Sequence, residues 1–192
     1  MLTPRQSTPR QQPEQRMTMV FSDDHELMDV VDEHDRIIGT GDRKEIHNKG
    51  LLHRSVHIFV VDPDGRMYLQ KRSLYKQEHP GKWDSSAAGH VRSGESYDEA
   101  AARELAEELN LRARVSPVLK IPASQETGGE HSTLYCVQCD RTTGIPEPNP
   151  LEIEEGRFFT PGEIEDLCMR TPEDLTPSFR VLYREYQKRP ST

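Results

Sequence analysis

No stretch of this chain is long and apolar enough to cross a membrane, and no secretory apolar core follows its start. A membrane partner is therefore not expected. Cysteine is scarce, with three residues, Cys136, Cys139 and Cys168, too few for a disulfide framework. Cys136 and Cys139 form a CxxC, but no second CxxC accompanies it, and the pair falls in a strand-like run. Both are expected to be ordinary strand residues. Three free thiols fit a reducing cytoplasm. Lys/Arg blocks of five or more are absent and the net charge is −8, which argues against a nucleic-acid polymer as partner. Aromatics make up only 6% of the chain. Tyr68, Tyr75, Trp83 and Phe158 are the ones available to stack a base, and core packing is the expected role of most of them. No internal repeat is visible.

What remains is a polar chain of 192 residues, 33% hydrophobic and 30% charged, with 14 prolines. That length suits one domain. Residues 1–22 carry Pro4, Pro9 and Pro13 among Gln, Arg, Ser and Thr, and read as a disordered tail preceding a domain over 23–192. The tail is rich in Arg and poor in acids, as transit peptides are, but it has no amphipathic apolar face.

From Glu26 onward the pattern becomes strand-like. Met28 to Val31 and Arg36 to Gly39 flank a turn at His34-Asp35, and Val56 to Val61 and Met67 to Gln70 flank Pro63-Asp64-Gly65. A short strand follows Pro80-Gly81 and ends at Ala88. Ser96 with Glu99 forms a capping box before the helix formers Ala100 to Leu109, and Asn110 closes that helix. Further strands are expected over Val115 to Ile121, Thr133 to Cys139 and Gly156 to Phe159. Thr160-Pro161-Gly162-Glu163 starts a second helix. In a third, from Pro177 to Gln187, Phe179, Leu182, Tyr183 and Tyr186 share a face. Strands mixed with three helices imply an α+β or α/β/α arrangement.

Within the first helix Glu104, Glu107 and Glu108 stand at i, i+3 and i+4 and so project from one face, with Glu104 and Glu108 a repelling pair one turn apart. Such a cluster is either a solvated acidic face, with Glu108 paired to Arg112, or a site for a hard cation such as Mg²⁺ or Mn²⁺. The wider pattern, Gly89-x5-Glu95-x7-Arg103-Glu104-Leu105-x-Glu107-Glu108-x-Asn110-Leu111, resembles the Nudix box. One position departs: Asn110 stands where the box has Gly, and Asn tolerates the left-handed conformation required there. The resemblance implies a Nudix fold, a mixed sheet sandwiched between helices, and a metal-dependent hydrolase that splits a nucleoside diphosphate derivative or related small diphosphate. It makes Glu104, Glu107 and Glu108 metal ligands and catalytic groups. Glu95 and Arg103 become a brace, while Gly89 and Gly94 shape the loop, Gly89 by a sharp turn.

Beyond the box, His47-x5-His53, Lys71-Arg72 with Lys76, and Pro80-Gly81-Lys82-Trp83 resemble the branch that includes isopentenyl-diphosphate isomerases. Those enzymes hold a metal through histidines and glutamates and protonate an alkene with a cysteine. His47, His53 and His90 match the metal histidines, with Glu130 a weaker match. They imply a second metal site; the alternative is that His53 and His57 are hydrogen-bonded strand residues and His47 lies on the surface. Arg43, Arg72 and Lys76 match diphosphate-binding positions, or else are exposed solubilising charges. At the position of the isomerase cysteine the chain has Ala88, which cannot move a proton, and its box is intact where the isomerase box is degraded. Hydrolysis is therefore favoured over isomerisation, and over a non-catalytic sensing module. Glu108, Glu152, Glu154 and Glu155 stay open as the catalytic base. The expected partner is a small-molecule diphosphate, and a homodimer is admitted.

Overall fold

Turn and cap residues cut the chain into nine strands and four α-helices among the described residues, 26–140 and 143–189 of a computed structural model. In order these are β1 (Leu27–Val31), β2 (Ile37–Asp42), α1 (Arg43–Lys49), β3 (His53–Val61), β4 (Met67–Arg72), β5 (Trp83–Asp84) and β6 (Ala87–His90). Then follow α2 (Tyr97–Leu109), β7 (Ser116–Ile121), β8 (Glu130–Gln138), β9 (Ile153–Phe159), α3 (Pro161–Arg170) and α4 (Pro177–Gln187). The tail expected over 1–22 lies outside the described residues.

β3 is central because it is buried on both faces, apolar on both in its second half, Ile58 to Val61, and polar on one face at His53, Ser55 and His57. It pairs in parallel with β8 over its full length, from His53 opposite Glu130 to Val61 opposite Gln138, and antiparallel with β4 and β6. The main sheet runs β5-β4-β3-β8-β7, with β9 on β4. A parallel neighbour requires a long crossover, and α2 lies within the one between β3 and β8. Val56, Ile58 and Val60 of β3 pack under Ala101, Leu105 and Leu109 of α2. On the opposite face Phe59, Leu69 and Phe159 meet Ile164 of α3 and Phe179 and Leu182 of α4. The expected mixed sheet between helices is what forms, and the face expected on the last helix is the buried one.

Three local differences matter for the site. First, α1 is a fourth α-helix beyond the three expected. It is capped by Asp42, whose side chain accepts from the Glu45 amide, and closed by Gly50 at φ 60°. With seven residues and Ile46 alone buried, it is too short to show a periodicity. Second, the strand expected to end at Ala88 continues to His90 as β6. Third, Gly89 is therefore a strand residue, paired with Val56, and not the sharp turn expected of it.

Candidate active site

The capping box forms as expected: the Ser96 hydroxyl accepts from the Glu99 amide while the Glu99 carboxylate accepts from the Ser96 amide. At the far end Asn110 takes the left-handed conformation at φ 53°. The last carbonyls of α2 are bonded from outside, Glu108 O by the Asn149 amide at 2.8 Å and Leu109 O by the Glu147 amide at 2.9 Å. Both ends of the helix are thus fixed, and so is the direction of its carboxylates.

Glu104 and Glu108 turn inward, at 8% and 3% exposed, while Glu107 is half exposed. Glu104 is admitted by Gly89: a Cβ on Gly89 would stand 2.1 Å from a Glu104 carboxylate oxygen. Only glycine leaves that space. Glu108 accepts from the Gln70 side-chain amide at 2.8 Å and from the Ala88 backbone at 3.0 Å, rather than pairing with Arg112 on the surface. Burial pushes both carboxyls above their ordinary range, and for Glu104 the charge of Glu108 adds to it. Arg103 makes two bonds to the Glu95 carboxylate, at 2.8 and 2.9 Å, and others to Glu104 and to the His90 carbonyl. It therefore joins the loop, the helix and β6.

His47, His53 and His90 come from three different elements, the last turn of α1, the start of β3 and the end of β6. Their ring centroids lie 4.9–5.1 Å apart. His47 Nδ1 contacts the Glu78 carboxylate at 2.5 Å and His53 Nδ1 the Leu51 carbonyl at 2.9 Å. Each acceptor favours the proton on Nδ1 and leaves a lone pair on Nε2. Both Nε2 atoms are buried without a hydrogen-bond partner. Glu130 lies 3.6 Å from His53 Nε2 and 3.4 Å from His90 Nε2. One ligand atom from each of the three rings lies within 4.8 Å of the others.

A cavity of about 520 Å³ gathers most of these residues. Glu104, Glu107, Glu108, His47, His90 and Gly89 line it, as do the three expected cations Arg43, Arg72 and Lys76. His53 lies behind that wall, and Glu95 and Arg103 act from outside it. Arg72 is held by Asp84 at 3.4 Å and the Glu78 carbonyl at 3.1 Å, and Lys76 pairs with Glu152. Of the acids left open as catalytic base, Glu152 lines the cavity, while Glu154 and Glu155, expected before the strand, lie within β9 and do not. None of the four aromatics considered as base-stackers lines it. Tyr68 packs on Phe158 and Trp83 on Phe159, as expected for core residues. Gln70, Glu78 and the group around His57 are participants that motif spacing did not reveal. The one legible trace was polar Ser55 and His57 alternating within an apolar run.

The donor set fits divalent cations at two places. Buried Glu104 and Glu108, with Glu107 beside them, are oxygen donors for a hard ion. The orphaned imidazole nitrogens with Glu130 are a nitrogen-rich set suited to a transition metal.

Comparison with known proteins bears on the family and the fold. The family model described as NUDIX domain matches residues 51–185. An uncharacterized Nudix hydrolase of Streptomyces coelicolor is 32% identical over 149 residues, spanning 78% of this chain and 82% of that protein. An isopentenyl-diphosphate Delta-isomerase of Serratia proteamaculans is 32% identical over 165 residues, spanning 83% of this chain and 90% of that protein. Among solved structures, DR0079 of Deinococcus radiodurans superposes with a TM-score of 0.72 at 28% identity, covering 83% of this chain and 98% of its own. Family match, relatives and fold converge: the chain belongs to the NUDIX domain family and is an enzyme of the Nudix hydrolase type, whose members are generally metal-dependent pyrophosphohydrolases.

Proposed function

We propose that this enzyme hydrolyses a phosphoanhydride bond in a nucleoside diphosphate derivative or related small diphosphate, by attack of water on phosphorus, with Mg²⁺ (or Mn²⁺) held by Glu104, Glu107 and Glu108. The observation that carries the reading is the meeting of two opposite charge sets in one cavity: the three glutamates of α2, and Arg43, Arg72 and Lys76. Neither set alone suits a diphosphate; together they hold both an anion and the cations that neutralise it. A bound divalent ion supplies Lewis-acid polarisation of the phosphoryl oxygens and a more acidic water.

The chain's own groups do the rest. Arg43, Arg72 and Lys76 bind the phosphate oxygens and orient the anhydride. Glu108, anchored by Gln70 and the Ala88 amide, or Glu152 beside Lys76, takes the proton of the attacking water. A new P–O bond forms from that water, the bridging P–O bond breaks, and the second phosphate group leaves with the electron pair. His47, His53 and His90, with Glu130, hold a second metal; the two orphaned Nε2 atoms support this. Isomerisation, the activity named for some relatives, is disfavoured by Ala88, whose methyl lines the cavity where a proton donor is needed. A sensing module without turnover is disfavoured by the full set of box carboxylates. Free Cys136, Cys139 and Cys168 suit a cytoplasmic setting. No helix among the described residues is long and apolar enough to cross a membrane.

The test is a phosphate-release screen over nucleoside diphosphates, nucleotide sugars, dinucleoside polyphosphates, CoA and isoprenoid diphosphates with Mg²⁺ and Mn²⁺. Glu107→Gln and Glu108→Gln should each lower turnover by about 10²-fold or more. Full activity in either variant contradicts the metal assignment, and no turnover by the wild type favours the sensing module.

A further inference from the structure

The wall of the cavity has an unusual composition for a small-molecule site. Most such pockets are lined mainly by apolar and aromatic side chains. Here no described lining residue is Phe, Tyr, Trp, Leu, Ile, Val or Met, and the only apolar side chains are those of Ala88 and Pro177. A nucleobase has no Phe, Tyr or Trp ring to stack on, and an isoprenoid chain has no greasy surface to cover it. An all-phosphate chain fits no better. Nine lining carboxylates face four Lys or Arg residues, an excess of acid that bound divalent ions offset only near the phosphates they touch.

The remaining chemistry is hydrogen bonding, and His57 is its best-built element. The ring is 4% exposed and lines the cavity. Its Nδ1 lies 2.9 Å from Ser85 Oγ and 3.9 Å from Asp84 Oδ1. Asp84 is itself fixed, accepting from the Thr176 hydroxyl at 2.9 Å, from Arg72 at 3.4 Å and from the Ser85 amide at 2.8 Å. No described group bonds His57 Nε2. The adjacent carboxylate favours the proton on Nδ1, and burial holds the imidazole neutral by lowering its pKa. Nε2 then presents a lone pair. A lone pair accepts from a hydroxyl and repels a phosphate oxygen. Thr176 and Ser178, at the start of α4, supply further small polar groups to the same cavity.

We propose that the site takes a diphosphate whose other half is a hydroxyl-rich, sugar- or polyol-like group, and that His57 is the specificity residue that accepts a hydroxyl of that group. This rests on the phosphoanhydride-hydrolase reading above and narrows its substrate class. The terminal phosphoanhydride is cleaved as already described, and the hydroxyl-rich half leaves as its monophosphate.

The experiment compares kcat/KM for ribose 5-diphosphate, ADP, isopentenyl diphosphate and inorganic tripolyphosphate, using the full chain with Mg²⁺. The expected result is at least a tenfold preference for ribose 5-diphosphate over each of the other three. ADP at or above ribose 5-diphosphate shows that the base adds binding and overturns the proposal, as does a preference for tripolyphosphate or the isoprenoid. Cleavage of none of the four overturns this inference; the hydrolase reading falls with it only when the wider phosphate-release screen also shows no turnover. In His57→Phe the kcat/KM ratio of ribose 5-diphosphate to tripolyphosphate should fall about tenfold, the cost of one unmade hydrogen bond. His57→Gln, which keeps an acceptor oxygen, should recover part of that ratio and also serves if the Phe variant does not fold. An unchanged ratio in a folded variant removes His57 from the account.

Discussion

Gly89 has no side chain, and the carboxylate of Glu104 occupies the space where one would sit. The motif gave the position of this glycine but not its reason, because a close approach between a strand and a helix leaves no trace in local sequence. Gly89→Ala should displace Glu104 by an ångström or more and lower kcat on the order of 10²-fold while the circular dichroism spectrum is kept. Wild-type turnover in that variant contradicts the placement of Glu104. The spacing of Glu104, Glu107 and Glu108 was legible because helical geometry converts i, i+3, i+4 into one face. It did not separate buried Glu104 and Glu108 from half-exposed Glu107. That division comes from what covers the helix, Gln70 and the β6 backbone for Glu108 and Gly89 for Glu104. Glu78, which orients His47 from 31 residues away in sequence, belongs to the same class of hidden partner.

At the scale of elements, capping chemistry was the most readable signal. Ser96 closes the capping box that its sequence announced, and Thr160, read there as a helix start, closes one as well. Asn110 adopts the left-handed conformation that its departure from glycine required. Asn110→Ala should destabilise the protein by about 1 kcal/mol, a left-handed alanine being strained, whereas Asn110→Gly should be close to neutral. Thermal denaturation of the pair checks this, and an Ala variant as stable as the Gly variant would refute the capping account. Ser96→Ala should likewise cost about 1 kcal/mol. The helix α1 was the element missed, and it carries His47. Its Asp42 cap and Gly50 stop were both present in the sequence, but one buried residue gives no amphipathic stripe to read. The resemblance alone grouped the three histidines in the sequence; α1, β3 and β6 bring their rings together in space.

At the scale of the molecule, the layered fold followed from β3, whose apolar second half, Ile58 to Val61, requires cover on both sides. The β1–β2 hairpin is fastened to that body by Asp35, which sits at φ 61° in the turn between the two strands. Its carboxylate accepts from Arg54 at 2.6 Å, from Tyr97 at 3.2 Å and from Lys120. Burial raises the Asp35 pKa, but the hydrogen bonds from Lys120 and Arg54 outweigh it and the net shift is downward. A carboxyl depressed on folding adds stability above its unfolded pKa and loses it as pH falls through the folded value. Asp35→Asn, which tolerates the same backbone, should therefore cost about 1 kcal/mol at neutral pH, with the difference closing below about pH 4. Denaturant melts at pH 7 and pH 3 make the comparison, and a gap that persists in acid would show that charge is not its source.

In the proposed reaction water attacks phosphorus in the cavity between α2 and the cations. The most direct measurement is turnover in ¹⁸O-labelled water of whichever diphosphate the release screen shows to react fastest, with the products weighed by mass spectrometry. Attack at phosphorus predicts one labelled oxygen in a phosphate-bearing product at each turnover, lost together with turnover in Glu108→Gln. Unlabelled phosphate products, or an isomerised diphosphate with its anhydride intact, would contradict it.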